Sequence, residues 1–176
     1  MAESEGLSEV WIPGSFELFY REDYASVVAL AYALSGNRWV AEDLAQEAFL
    51  RAHREWARVG EMESPSGWVR LVALNLARSR LRRLRSEAIA KLRMSPAEAT
   101  PNLVSDSESD AFWEEVRRLP TRQAQAIALR YIEDLSVTEI AEVLEIAEGT
   151  AKALLHQGRG RLRRQLSVKG LLDHET

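Results

Sequence analysis

The chain has 176 residues, 46% hydrophobic and 28% charged, with no cysteine and a formal net charge of −4 at pH 7. That length fits one domain or two small ones, and the lack of cysteine excludes a disulfide framework and any thiolate metal site. No apolar run approaches the ~18–20 residues of a membrane-spanning helix, and the acidic N-terminus MAESEGLSEVW lacks the basic-then-apolar order of a secretion signal, so a soluble cytoplasmic protein is expected.

Apolar spacing is helical almost throughout, without a convincing alternating strand. The expected fold class is all-α: two small helical domains joined by an acidic linker. The first helix is predicted over Ser15–Leu34, with Phe16, Phe19, Tyr20, Tyr24, Val27, Val28, Ala31 and Leu34 on one face. Ser35-Gly36-Asn37 stops it, and Asn37 can cap the second helix, Trp39–Ala57. That helix turns Val40, Ala41, Leu44, Ala45, Ala48, Ala52 and Trp56 inward and Glu42, Asp43, Gln46, Glu47, Arg51 and Arg54 outward. A polar loop, residues 59–66, leads into a third helix from Gly67 to about Arg85, which becomes increasingly arginine-rich.

Charge comes in blocks of alternating sign. Residues 1–23 carry six acids and one base, 70–93 eight bases and one acid, 95–115 six acids and no base, and 149–169 six bases and no acid. Two basic blocks separated by acidic material point to two nucleic-acid-facing surfaces. An aromatic, Trp68, beside a polar loop and ahead of an arginine run suits single-stranded nucleic acid, because bases stack and guanidiniums neutralise phosphates. The stretch MSPAEATPNLVSDSESD, residues 94–110, is too polar to bury itself and is expected to be a linker.

The C-terminal half holds a helix-turn-helix pattern. Its helices are expected from Ala111, over Thr121–Ile132, and through Leu135–Leu166. Ser136-Val137-Thr138-Glu139 is a capping box, Glu145–Gly149 is the turn, and Thr150 opens the last helix. On that helix Ala151, Leu155, Gly158, Leu162 and Leu166 form an inner stripe. Lys152, His156, Arg159 and Arg163 form an outer one at steps of four, three and four. Such a helix enters the major groove, early side chains meeting base edges and later ones phosphates.

The blocks AEDLAQEAFLRAHREW, SPSGWVRLVALNLARSRLRR, LPTRQAQAIALRYIEDLSVTEIAEVL and GTAKALLHQGRGRLRR, in that order, resemble the extracytoplasmic-function sigma factors, the two-domain members of the bacterial sigma-70 family. The resemblance covers about residues 15–168. It implies an N-terminal tail (1–13), a region 2 domain (14–86), a linker (87–110), a region 4 domain (111–169) and a short tail (170–176). It implies that Asp43, Gln46, Glu47 and Leu50 bind the clamp coiled coil of the β′ subunit of core RNA polymerase, and that the C-terminal domain meets the flap of the β subunit. Ser64, Ser66, Trp68, Asn75, Arg78, Arg82 and Arg83 would hold the opened −10 promoter element. Thr150, Lys152, His156, Arg159 and Arg163 would read the duplex −35 element. Polymerase does the chemistry, so the resemblance implies no catalytic residue, cofactor or metal, and it allows an anti-sigma partner.

The sequence departs from the family's usual pattern where glycine is common (Glu145), where a capping Ser or Pro is common (Ala147), and at Ala124, Ser79, Ala153, Leu154, Gln157 and Gly158. These changes cluster on the −35 module and imply weaker −35 reading. Two other readings, a stand-alone helix-turn-helix regulator and a sigma-like adaptor, fit the C-terminal half. The first gives no reason for DLAQEAF or for the loop beside Trp68.

Overall fold

The computed structural model describes residues 15–94 and 108–168. The two expected tails and residues 95–107, most of the expected linker, lie outside them. Among the described residues the chain forms eight helices and no strand: α1 Phe16–Ser35, α2 Arg38–Arg54, α3 Trp56–Val59, α4 Pro65–Met94, α5 Glu108–Arg118, α6 Thr121–Ile132, α7 Val137–Leu144 and α8 Glu148–Val168.

The helix boundaries follow from local chemistry. The Ser15 hydroxyl accepts from the Leu18 amide, and the Asn37 side chain accepts from the Val40 amide. Gly36 ends α1 at φ 67°, a conformation glycine adopts without a Cβ penalty. Ser64 accepts from the Gly67 amide at 3.0 Å and so starts α4. The capping box of α7 is formed in both directions, Glu139 N–H to Ser136 Oγ and Ser136 N–H to the Glu139 carboxylate.

Several boundaries differ from the sequence expectation: α5 begins at Glu108 rather than Ala111, α8 begins at Glu148 rather than Thr150, and two differences are larger. The second helix stops at Arg54, and a separate turn, α3, carries Trp56. The third helix runs to Met94, nine residues beyond Arg85, because residues 86–94 (SEAIAKLRM) contain no glycine or proline to stop it.

Helices α1, α2 and α4 pack as a three-helix unit around Phe19, Val27, Ala45, Ala48, Phe49, Val59, Val69 and Ala73. The second core is shared by both halves. Leu30, Ala31, Leu34, Leu74 and Ala77 from the first unit pack in one cluster with Val116, Leu119, Ile127, Leu129, Ile140 and Leu144 from the second. Contacts of α1 with α5 and α6, and of α4 with α7, carry this junction. The two halves therefore sit against one another rather than apart.

Glycine at position 158 has a packing reason. A Cβ there would lie 3.0 Å from Ile127 Cγ1 and 3.3 Å from Cδ1, and Ile127 is fully buried. The ~1 kcal/mol that glycine costs a helix interior is the condition for close α6–α8 approach. Gly158→Ala should therefore lower unfolding free energy by about 1 kcal/mol in urea melts, overpacking outweighing the gain in helix propensity. A rise would show that Ile127 has room to move.

Candidate nucleic-acid and partner interfaces

The outer face of α2 is the simplest of the three candidate surfaces. Asp43, Gln46, Glu47 and Leu50 share one side of the helix, opposite the buried Ala41, Leu44, Ala45, Ala48, Phe49 and Ala52. Glu47 pairs with Arg51 at 2.8 Å and Glu42 with Arg38 at 2.9 Å. Leu50 is 44% exposed, a large apolar side chain beside carboxylates and an amide. A stripe of this composition suits a protein partner better than nucleic acid, since its acids repel phosphate.

The residues expected at the −10 element are divided by the structure. Trp68, Asn75, Arg78 and Arg82 fall on one side of α4 at steps of seven, three and four. Asn75, Arg78, Arg82 and Arg83 are exposed, and Arg83 pairs with Glu87 at 3.3 Å. Trp68 is half-buried against the first core, with the Arg58 guanidinium 5.9 Å over its ring. It is thus both a core element and a wall of the cleft between α4 and α7. The two serines are structural ties: Ser64 caps α4, and the Ser66 hydroxyl donates to Asp23 Oδ2 at 2.7 Å.

Arg70, counted with the basic block, does not face solvent. Its Nη2 reaches Asp23 Oδ1 at 3.2 Å and Glu133 Oε2 at 3.0 Å, with side-chain exposures of 16%, 13% and 6% for the three residues. This triad joins α1, α4 and the end of α6. Sequence reasoning missed it, because its members are 47 and 63 residues apart and each looks like an ordinary surface charge. Arg117 is another inward-turned cation. It donates to the Ala33 carbonyl at 3.3 Å, and burial pulls its guanidinium below its ordinary pKa.

On α8, Lys152, His156, Arg159 and Arg163 form an exposed stripe opposite the buried Ala151, Leu155, Gly158, Leu162 and Leu166. Thr150 is exposed in the first turn. Glu148 pairs with Lys152 at 2.8 Å, which partly neutralises the first cation of the stripe. Ala147 precedes the helix and offers no side-chain acceptor to its first amides. Arg159 lies 6.0 Å over the Tyr131 ring. Glu145 closes α7 in the left-handed region at φ 53°, where a side chain costs ~1 kcal/mol. The Glu145 and Ile146 amides still satisfy the last carbonyls of α7.

Residues 19–87 match the family Sigma-70 region 2, and residues 109–162 match Sigma-70, region 4. The chain is 31% identical over 154 residues to the ECF RNA polymerase sigma factor SigW of Bacillus subtilis (strain 168), covering 80% of this chain and 82% of that protein. It is 35% identical over 163 residues to the ECF RNA polymerase sigma factor SigE of Mycolicibacterium smegmatis, covering 87% of this chain and 62% of that one. Its fold is similar to that of the sigma factor RpoE of Bartonella quintana, solved in complex with the anti-sigma factor NepR (TM-score 0.68, 22% identity, 87% of this chain and 97% of that chain).

A three-helix region 2 unit and a helix-turn-helix region 4 unit in one chain define an RNA polymerase promoter-recognition subunit. The chain belongs to the extracytoplasmic-function sigma factors, and it serves promoter recognition and transcription initiation.

Hydrogen bonding with the Ser136 side chain, then with its backbone amide, holds the Glu139 carboxyl below its ordinary 4.5. A group depressed on folding stabilises the fold above its unfolded pKa, and that contribution is lost as pH falls through the folded value. Thermal melts of Glu139→Gln and the parent chain should therefore differ at pH 7 and converge as the pH is taken below the group's ordinary 4.5. A constant gap would assign the cap no ionic component.

Proposed function

We propose that the exposed stripe Asp43, Gln46, Glu47 and Leu50 on α2 is the surface that docks on the clamp coiled coil of the β′ subunit. The carrying observation is the exposure of Leu50 between acidic neighbours on a helix whose other side is fully committed to the core. An exposed leucine ringed by polar groups has the anatomy of an interface centre. Trp68, Asn75, Arg78, Arg82 and Arg83 then take the −10 single strand, with Ser64 and Ser66 shaping the loop that presents it. The C-terminal domain meets the flap of the β subunit. Polymerase supplies the chemistry, and this chain acts as a non-enzymatic specificity subunit in the cytoplasm. No helix among the described residues is long and apolar enough to cross a membrane.

Region 4 reads the −35 element through Thr150, Lys152, His156, Arg159 and Arg163, but weakly. Lys152 is engaged by Glu148, Ala153 offers only a methyl group, and Leu154 leans onto the core. An anti-sigma partner also belongs to this reading. A groove floored by Leu34, Leu74 and Leu119 and rimmed by Arg78, Arg82 and Arg117 suits an amphipathic helix bearing carboxylates.

Leu50→Ala and Asp43→Ala should each weaken binding to core polymerase by about tenfold, a loss of ~1.4 kcal/mol. The check is competition for core enzyme, with unchanged circular dichroism as the folding control. Parent-like competition by both variants would remove this face from the interface. On a promoter used by the chain, scrambling the −10 hexamer should reduce transcription more than scrambling the −35 hexamer. Equal losses would count against the weakened helix.

A further inference from the structure

We infer that the junction between the two halves of the chain holds a site for a small ligand, a phosphorylated nucleoside, with its base among leucines and its phosphates on Arg78, Arg82 and Arg117. The pocket encloses about 230 Å³ between α1 and α4 on one side and α5 and α6 on the other. Its apolar wall is Leu34, Leu74, Leu81 and Leu119. The volume is below the ~300–1,000 Å³ of pockets that enclose a whole ligand. One ring system therefore fits inside, and a charged remainder stays at the mouth. The arginines suit that remainder, since Arg78 and Arg82 are exposed and Arg117 is half-buried.

Two features separate this site from a solvated basic face. The first is an acceptor without a donor. Gln125 lines the pocket and is 1% exposed. Its amide nitrogen donates to the Leu74 carbonyl at 3.3 Å, and its Oε1 is buried with no hydrogen-bond partner. A buried acceptor left unmatched is costly, and the N–H edge of a base offers the donor it lacks. A fatty-acid chain would fill the leucine wall equally well but brings no donor. The second feature is an open helix start. α6 begins at Thr121, which lines the pocket, and its N-cap, Pro120, has no side-chain acceptor. The Pro120 carbonyl takes the Gln123 and Ala124 amides, while the Thr121 amide has no acceptor among the described residues. A helix N-terminus left open in this way favours a phosphate. Thr121 and Gln125 stand about one turn apart, ~6 Å along the axis, so a base at the glutamine puts its phosphates near the helix start.

The charges agree. Arg83 pairs with Glu87, but Arg78 and Arg82 have no carboxylate partner among the described residues. Arg117 is held by its bond to the Ala33 carbonyl, so its guanidinium is in place before a ligand arrives. Three guanidiniums match a di- or triphosphate better than a monophosphate, and their bonds to phosphate are among the stronger polar contacts. Occupancy has a regulatory consequence. Arg78 and Arg82 also belong to the proposed −10 surface, so a bound nucleotide and the −10 strand exclude one another, a consequence that rests on that assignment. The pocket is also the inner part of the groove offered above to an anti-sigma helix, so nucleotide and helix compete.

The test is isothermal titration calorimetry of the full chain with GDP, GTP, ADP and ATP. Tripolyphosphate and guanosine serve as the anion alone and the base alone. At least one of the four nucleotides should bind saturably, and more tightly than either control. Arg82→Ala and Arg117→Ala should each weaken it by about tenfold. Gln125→Met should erase the advantage over tripolyphosphate. Arg21→Ala, on α1 away from the pocket, should leave binding unchanged. Melting curves without nucleotide check that each variant folds, and the exposed Arg82 keeps the test decisive if Arg117→Ala does not. Four outcomes would each overturn the site: no saturable binding of any nucleotide, tripolyphosphate binding as tightly as the nucleotides, parent-like binding by both pocket variants, or an equal loss in Arg21→Ala. If a bound nucleotide fails to displace labelled single-stranded −10 DNA, the pocket stands and the −10 assignment of Arg78 and Arg82 falls.

Discussion

Helix α6 is enclosed on all sides, and the arrangement of the other helices follows from that constraint. Seven consecutive residues, Gln123 to Leu129, are buried, where a surface helix would bury only one stripe. Alternating alanines at 124, 126 and 128 keep the helix narrow enough for α1, α5, α7 and α8 to pack against it. The two glutamines inside it are each bonded across an interface. Gln123 donates to Gln157 on α8 at 3.0 Å, and Gln125 donates to the Leu74 carbonyl on α4 at 3.3 Å. The second bond crosses between the halves of the chain. α6 thus belongs to the region 4 unit through α7 and α8, and is tied to the region 2 unit through α1 and α4.

The same enclosure explains the distribution of charge. A chain of net charge −4 that carries two basic blocks must place its acids where they do not cancel the reading surfaces. The α8 stripe is left nearly free, with Glu148 as its nearest acid. The α4 block is treated differently, since Arg70 is consumed by the interdomain triad and α7 turns carboxylates towards Trp68.

Much of this was legible in the sequence. The buried stripe of α8 was read correctly at all five positions from 3.6-residue periodicity, and the capping box at Ser136–Glu139 follows from side-chain reach within four residues. The α2 face was equally plain, because its polar and apolar sides are cleanly divided. Apart from helix ends such as the run of α4 to Met94 and the break before α3, the failures are non-local. Leu30 and Ala33 were left off the inner face of α1, because that helix buries a second face against the other half of the chain. Arg70 was counted with a solvent-facing block, because nothing within several turns of it signals Asp23 or Glu133. Gly158 read as a weak point in a helix until the Ile127 side chain beside it gave the reason.

The account stands on the claim that this chain gives core RNA polymerase a promoter specificity it lacks alone. Run-off transcription on fragmented genomic templates, with core enzyme alone and with core enzyme plus the full chain, tests that claim most directly. The account predicts discrete transcripts that appear only when the chain is added, together with co-elution of chain and core enzyme on a sizing column. Separate elution and an unchanged transcript pattern would contradict it.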